Sequence, residues 1–303
     1  MTRARGFTLI EAVVVIVITG ILAGVVAVFI AKPVQGYVES TRRAVLSDIA
    51  DGALRFIGRD VRMAVPNSVR VDASSHYVEF IPTEDGVRYR VEAGGGSSNI
   101  LDFSLSTTEA GFDVFGVSPV SASVGDYLTV FNTGQCSNTT CTAACGNLGA
   151  NAYEGCNRRT LTSVISTLSG GVTYGTGISF TATSNPLPFD SPGHRVNFVP
   201  STGPVSYGCT GTLGALDASG NGQGQLKRYT GYATGAGTWN ALTQPTAFAT
   251  GTNAVLADNI SACTITYAQG VSQRDAVLSL SLTITRGSES VTLYHEIHVD
   301  NQP

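Results

Sequence analysis

The sequence predicts an α+β protein in which one long N-terminal helix, transmembrane at first and then amphipathic, packs on an antiparallel β-sheet domain with long disulfide-bearing loops. Three observations support this fold class. Residues 12–31 form an apolar run without a charge. Residues 46–64 carry apolar side chains at every third or fourth position, as an amphipathic helix does. Beyond residue 66 the apolar period changes to two, which is typical of strands.

The composition narrows the class of protein. With 303 residues, 43% of them hydrophobic, the chain can bury a large core. Charged residues make up 13%, about half of what is usual in soluble domains, and the net charge is -4. A nucleic-acid surface would need a clustered basic face, and no nucleic-acid partner is predicted. The 35 glycines and six cysteines indicate an exported, loop-rich β-protein.

The apolar run from Ala12 to Ala31 is long enough to cross a membrane. Its twenty residues reach about 30 Å as a helix, which matches the hydrocarbon core of a bilayer. A secretory signal has a shorter apolar region, followed by a small residue at the cleavage site. Here the small residue, Gly6, comes first, so a cut after Gly6 would leave the helix on the product. The positive leader places the N-terminus in the cytoplasm and residues beyond Lys32 outside.

A single carboxylate, that of Glu11, stands at the start of this apolar helix. A charge at membrane depth needs a partner. Cleavage after Gly6 would create one, the α-amino group of Phe7. Within one subunit an i,i+4 relation would put the amine and the carboxylate on one helical face. Alternatively, the amine of one subunit meets Glu11 of its neighbour in a helical assembly.

An amphipathic helix is expected to continue the membrane span. Pro33 removes an amide hydrogen bond and predicts a kink there. The helix should end near Pro66 and Asn67. Asp51 and Arg55 are placed for an i,i+4 ion pair on its wet side. The apolar positions that recur along it are Leu46, Ala50, Ala53, Ile57, Val61 and Ala64.

Residues 67–303 are expected to form one β-rich domain outside the cytoplasm. Asp85-Gly86 predicts a hairpin turn between strands at 77–81 and 87–91. Two alternating runs at 277–285 and 291–299 should pair around Arg286-Gly287-Ser288 and close the sheet. Most of 132–160 and 183–225 is expected to be loop. Further short strands are predicted at 100–103, 112–117, 127–131 and 196–199.

The cysteines are expected to form disulfides. Sequence proximity favours a bridge between Cys209 and Cys263 and two bridges among the four earlier cysteines, whose three possible connectivities remain open. The four earlier residues are Cys136, Cys141, Cys145 and Cys156. A metal site is disfavoured because no paired knuckle follows the Cys141–Cys145 spacing.

No catalytic residue, cofactor or metal ligand is predicted. His295 and His298 are three apart on a predicted strand, so their side chains should lie on opposite faces. Residues 217–222 resemble the start of an EF-hand loop, but the twelfth position is Arg228 where a bidentate Glu is needed. No GxSxG or P-loop pattern occurs in the sequence. The chain is therefore expected not to be an enzyme.

The segment from Arg5 to Glu11, RGFTLIE, resembles the prepilin cleavage and methylation motif of type IV pilins and type II secretion pseudopilins. The resemblance implies that a prepilin peptidase and methyltransferase cuts between Gly6 and Phe7 and methylates the amine of Phe7. It also implies that Glu11 acts in filament assembly. The corresponding organisation is a leader at 1–6, a transmembrane helix at 7–32, a stalk helix at 33–66 and a globular domain at 67–303.

Two further segments, 39–71 and 256–301, are similar to the MshO group of MSHA pilus biogenesis proteins. This resemblance implies a minor pilin of an MSHA-type pilus, in filament priming or near the tip. Its partners would be the major pilin, other minor pilins and the inner-membrane assembly platform. The protein would first be a single-pass inner-membrane protein with a periplasmic domain, then part of the pilus at the cell surface. The alternatives are a secretion minor pseudopilin and a prepilin-anchored adhesin that binds through loops 132–250.

Overall fold

The computed structural model describes residues 6–92, 99–104, 109–115, 121–141, 149–169, 172–183, 185–233, 239, 251–269 and 275–303. It divides into two compact units, residues 1–48 and residues 49–303. The predicted fold class is confirmed: one long apolar N-terminal helix is followed by antiparallel β-sheets.

The helix α1 extends from Leu9 to Arg62. It continues through Pro33, which lies inside the helix. It ends at Arg62, slightly before the expected end at Pro66 and Asn67. The ion pair expected on its exposed side is present, with Arg55 Nε 2.6 Å from a carboxylate oxygen of Asp51.

Thirteen strands occur in the described part of the chain. In order they are β1 (Arg70–Val71), β2 (Tyr77–Phe80), β3 (Asp85–Tyr89), β4 (Gly111–Phe115), β5 (Tyr127–Val130), β6 (Arg158–Ser169), β7 (Val172–Phe180), β8 (Arg195–Val199), β9 (Val205–Leu216), β10 (Gly222–Thr230), β11 (Thr252–Gln269), β12 (Asp275–Arg286) and β13 (Glu289–Asp300).

Seven strands form one sheet in the order β1-β2-β9-β10-β11-β12-β13. Its last hairpin, β12–β13, is the antiparallel pair that the alternating sequence predicted, with Leu282 opposite Leu293. The turn consists of Gly287 and Ser288, whose φ angles are 60° and 63°. Two successive positive φ angles are typical of the type I′ turn, whose twist matches that of the paired strands.

The end of α1 that belongs to the second unit packs on this sheet. Ala53, Ile57 and Val61 are buried, as their spacing predicted. A Cβ added at Gly58 would meet His295 Nε2 at 3.3 Å, so the glycine permits a close approach to β13.

Two hydrogen bonds to Asp60 also hold this end of the helix against the sheet. The Tyr207 hydroxyl donates to Asp60 at 2.5 Å, and Arg228 Nε donates to the same carboxylate oxygen at 3.2 Å. Burial, followed by this hydrogen bond to Asp60, raises the pKa of Tyr207 well above its ordinary value. The end of α1 is therefore held to β9 and β10 by polar contacts and packs closely against β13.

The other six strands close a barrel in the order β3-β4-β7-β6-β5-β8. The sequence did not predict this barrel, because it assigned one sheet to the whole domain. The interior is apolar and contains Tyr89, Leu101, Phe112, Val114, Leu128, Val130, Leu161, Ile178, Phe180, Leu187, Val196 and Phe198.

The predicted hairpin at Asp85-Gly86 is wrong. Both residues lie within β3, opposite Phe198 and Asn197 of β8, while β2 pairs with β1 and β9. The intervening segment is held by the residues that follow α1: Val65 N donates to the Ile81 carbonyl at 2.8 Å, and Thr83 N donates to the Met63 carbonyl at 2.8 Å. These non-local hydrogen bonds fix the segment between β2 of the sheet and β3 of the barrel. The two strands therefore do not form the hairpin that Asp85-Gly86 predicted.

The expected loop at 183–225 is also wrong in part, since the long strand β9 and the start of β10 lie there. Their glycines suggested loop, but close packing explains them. A Cβ at Gly208 would lie 2.1 Å from the Tyr77 ring, and one at Gly224 would lie 2.8 Å from the Ile260 carbonyl. Similarly, β6 begins within the expected cysteine loop, and 100–103 is not a strand.

Charged side chains are buried where the sheet meets the barrel. The Arg158 guanidinium carbon lies 3.5 Å from the ring centroid of Trp239, and Arg158 Nη1 donates to the Ala152 carbonyl at 3.0 Å. Loss of solvent lowers the pKa of Arg158 to about 10. Nearby, Arg70 Nη2 donates to Glu79 at 3.1 Å. Burial raises the pKa of Glu79 to about 7, although Arg70 opposes the shift.

Candidate processing and membrane-anchoring site

The Gly6–Phe7 bond lies on exposed, non-helical backbone. Gly6, Phe7 and Thr8 precede the first helical residue, Leu9, and the Phe7 side chain is 81% exposed. Residues 1–5 of the predicted leader lie outside the described residues. A peptidase needs an accessible segment outside regular secondary structure, and this bond is both exposed and non-helical.

Thr8 and Glu11 form a reciprocal cap on the start of α1. Glu11 N donates to Thr8 Oγ1 at 3.4 Å, while Thr8 N donates to Glu11 Oε2 at 3.4 Å. The Thr8 hydroxyl also lies 3.2 Å from the same carboxylate oxygen. This is a capping box, in which two backbone amides that lack helical partners are satisfied by side chains.

The cap changes the interpretation of Glu11. Sequence reasoning placed Phe7 and Glu11 on one helical face, whereas Phe7 precedes the helix in this structure. The carboxylate already has a local partner in Thr8. The Thr-x-x-Glu spacing before an apolar run is the sequence signature of a capping box, so the sequence did contain the signal that was missed.

The apolar surface that follows is uncovered. No residue in the most apolar stretch of α1 is buried, and the helix is long and apolar enough to cross a membrane. The one hydroxyl of the apolar run 12–31 is satisfied within the helix, because Thr19 Oγ1 donates to the Val15 carbonyl at 2.7 Å. Internal satisfaction of polar groups is what a lipid environment requires.

The structure places the cysteines in two regions. Cys209 of β9 is bonded to Cys263 of β11, the pair that proximity favoured. Cys136 is bonded to Cys141, which selects one of the three connectivities left open for the four earlier cysteines. Cys156 is also disulfide-bonded, and Cys145 lies outside the described residues.

The weaker candidate sites are occupied by structural contacts. Asp217 accepts the amides of Ser219 and Asn221, each at 2.8 Å, so its carboxylate organises its own turn. His295 packs toward α1 and His298 is exposed, as expected for an odd separation on a strand. Within the described residues, no group of three or more His, Cys, Asp or Glu could hold a metal ion.

Comparison with known proteins identifies the N-terminal segment. Residues 1–27 match the prokaryotic N-terminal methylation motif. Neither a curated protein nor a solved structure matches the chain.

The methylation motif is of the type IV prepilin kind. The matched segment contains the exposed Gly6–Phe7 bond, the Thr8–Glu11 cap and most of the apolar run. It therefore joins a processing signal to a helix able to anchor in a membrane. Proteins with such a motif are typically structural subunits processed by a prepilin peptidase.

Proposed function

We propose that the chain is a minor pilin of a type IV, MSHA-type pilus. The observation that carries the proposal is the exposed Gly6–Phe7 bond of the methylation motif, which directly precedes a helix of membrane-spanning length. A structural subunit needs no catalytic cluster. It needs a processing site, an apolar helix to join other helices and a globular part to display.

Processing is the first step of the proposed function. The prepilin peptidase cuts between Gly6 and Phe7, and the new α-amino group of Phe7 is methylated. Intact-mass measurement of protein extracted from membranes should give a chain that starts at methylated Phe7. Gly6→Val should block the cut, since the added side chain crowds the bond, while Thr19→Val serves as a control. A mature start beyond Ala31 would instead identify an ordinary signal peptide.

Glu11 is proposed to act in filament assembly, as a partner for the Phe7 amine of its own or a neighbouring subunit. The capping box provides a way to separate charge from helix capping. Glu11→Gln keeps a side chain able to cap the helix but removes the charge. Thr8→Ala weakens the cap but keeps the carboxylate.

An assembly role for the charge predicts loss of Glu11→Gln from sheared filaments and normal incorporation of Thr8→Ala. The readout is the amount of subunit in filaments relative to the membrane fraction. The opposite pattern, in which only Thr8→Ala is lost, would assign Glu11 to capping alone.

The proposed position is near the filament tip, within a priming complex. Residues 67–303 include both a seven-stranded sheet and a six-stranded barrel. Such bulk would crowd lateral contacts in a subunit repeated along a thin filament. Glu11 favours a position just below the extreme tip, where a neighbour still supplies a partner. Quantitative mass spectrometry of filaments should find a small fraction of the major pilin's copy number, and near-equal numbers would refute this position.

The MSHA assignment rests only on the sequence resemblance of residues 39–71 and 256–301 described above. The proposed partners are the major pilin, other minor pilins, the peptidase/methyltransferase and the inner-membrane assembly platform. The subunit would start in the inner membrane with its β-rich unit in the periplasm and end at the cell surface. Deletion of the gene should reduce MSHA-type filaments. Loss of type II secretion with normal filaments would point to a minor pseudopilin instead.

A further inference from the structure

The outer face of the barrel carries an unusual row of side chains. Arg88 of β3 lies opposite Phe115 of β4 on one side and opposite Arg195 of β8 on the other. All three residues are exposed, and Phe115 is 70% exposed. Residues directly opposite each other in an antiparallel pair project from the same face of the sheet. The row therefore presents one aromatic ring and two guanidinium groups side by side.

This arrangement is unfavourable for the isolated fold. Like charges directly opposite on neighbouring strands destabilise a sheet, and a large exposed ring gains little from its surroundings. Among the described residues, no carboxylate forms an ion pair with Arg88 or Arg195. An anion bound at the row would relieve the repulsion.

A cleft of about 410 Å³ opens beside the row, which is within the usual size of small-ligand sites. Arg88, Arg90 and Phe115 line it together with His194 and Glu92. Arg90 Nε is buried there without a hydrogen-bond partner, and no ion pair of Arg90 occurs in the described structure. A buried donor without a partner is costly, and a ligand acceptor would satisfy it.

Hydrogen bonds and a ring contact hold Tyr89 and His194, which line the cleft, in place. Ser191 N donates to the Tyr89 hydroxyl at 2.9 Å, and that hydroxyl donates to Asp190. The Tyr89 and His194 rings meet edge to face, with centroids 5.7 Å apart. His194 has a φ of 52°, a left-handed conformation that costs free energy and is stabilised here by a hydrogen bond from its amide to the Ser191 carbonyl at 2.8 Å.

We propose that this cleft binds a carboxylated sugar ring, such as a uronic acid unit of an acidic glycan. The exposed Phe115 ring supplies an apolar face on which the C–H face of a sugar can stack. Arg88 and Arg90 supply donors for the carboxylate, and a guanidinium can hold a carboxylate through two parallel hydrogen bonds. Glu92 at the rim can accept hydrogen bonds from sugar hydroxyls.

The same features disfavour a nucleic acid as the ligand. Binding to a phosphate backbone requires an extended basic surface, whereas the chain carries a net charge of -4 and this cleft contains an acidic residue. The site is compact and pairs one ring with a few donors, which fits a single sugar unit.

The test uses the full processed chain in detergent micelles, with trigalacturonic acid as the probe in isothermal titration calorimetry. Maltotriose is the neutral probe, and a twelve-nucleotide oligothymidylate is the polyanionic probe. The variants are Arg88→Ala, Arg88→Lys and Phe115→Ala, all at exposed positions. The matched control is Arg286→Ala, which removes an exposed arginine from the end of β12.

Trigalacturonic acid should bind the wild-type chain and the Arg286→Ala chain equally. Arg88→Ala and Phe115→Ala should each lower the affinity at least about tenfold, the loss typical of one good charged or stacking contact. Arg88→Lys should also lose affinity, because a lysine cannot form the two-pronged contact. Absence of binding, equal binding of maltotriose, or oligothymidylate binding with the same dependence on Arg88 would each overturn the proposal.

Discussion

The N-terminal span and the β-rich unit differ in the exposure of their apolar side chains. From Ala12 to Ile30 the apolar side chains are exposed, and the hydroxyl of Thr19 is satisfied inside the helix. In the described part of residues 49–303 apolar side chains form buried cores, and even charged groups such as Glu79 and Arg158 are enclosed. Burial of apolar side chains within the chain thus stabilises the β-rich unit. The apolar side chains of the span can be buried only in lipid or against other helices.

Folding of the β-rich unit and membrane association of the span should therefore depend on different residues. Substitutions in the β-rich unit should change its unfolding free energy and leave membrane association alone. Substitutions in the span should do the reverse.

The barrel core offers the strongest test. Phe198 is fully buried among the apolar residues of the barrel. Phe198→Ala should lower the unfolding free energy by about 3–5 kcal/mol, because it removes transfer free energy and leaves a cavity. Chemical denaturation of the chain in micelles measures this. Val255→Ala, at a half-exposed strand position, is the control and should have a small effect. A change in membrane association of Phe198→Ala would break the proposed separation.

The buried carboxyl of Glu79 predicts a pH dependence of the β-rich unit. Its pKa is raised from 4.5 to about 7, so the folded state binds the proton more tightly than the unfolded chain. The stability contributed by this proton is complete below about pH 4.5 and is lost as the pH rises through about 7, which amounts to about 3 kcal/mol. Glu79→Gln should flatten this part of the pH profile.

The exposed Glu296→Gln is the matched control for that experiment and should leave the profile unchanged. An unchanged slope in Glu79→Gln would mean that other groups determine the pH dependence. Membrane association should not vary with pH in either variant.

Membrane insertion of the span should be sensitive to an introduced charged side chain. Val17 is about half exposed near the middle of the apolar run. Val17→Asp should disfavour insertion by about 2.5–3.5 kcal/mol, the cost of a carboxylate at the centre of a membrane helix. Carbonate extraction measures the membrane-bound fraction, with Val17→Leu as the control. Retention of Val17→Asp at the wild-type level would show that this position does not face lipid.

The smallest effect is expected on the exposed side of α1. The pair between Asp51 and Arg55 is largely solvated. Asp51→Ala should change the unfolding free energy by only about 0.2–0.5 kcal/mol, and added salt should shrink the difference. A loss above 1 kcal/mol would mean that Asp51 has a further role.

Local patterns predicted the parts of the fold that local physics determines. The apolar run, the spacing of Ala53, Ile57 and Val61, and the alternation of β12 and β13 all depend on neighbours within a few residues. The predicted hairpin at Asp85-Gly86 was wrong because Ile81 and Thr83 form backbone hydrogen bonds with Val65 and Met63, just beyond α1. Such pairing between distant segments leaves no local signal, and the barrel depends on it throughout.

The functional features also separate into local ones, which the sequence indicates, and ones that join distant segments. The methylation motif and the apolar helix could be predicted, because both are continuous in sequence. The cap between Thr8 and Glu11 is equally local and was missed only because the carboxylate was assigned to a more distant partner. By contrast, the row of Phe115, Arg88 and Arg195 joins three strands, and no sequence pattern places its members together.

The bond between Cys209 and Cys263 has a mechanical consequence. In the proposed role of a filament subunit, a chain pulled through its N-terminal helix would carry tension through its backbone. The two cysteines are 54 positions apart, so the chain between them cannot lengthen while the bond is intact. At about 3.3–3.6 Å per extended residue, this withholds about 180 Å of extension. In that role the disulfide would limit how far the chain can be extended by force, and reduction of the disulfide would remove the limit.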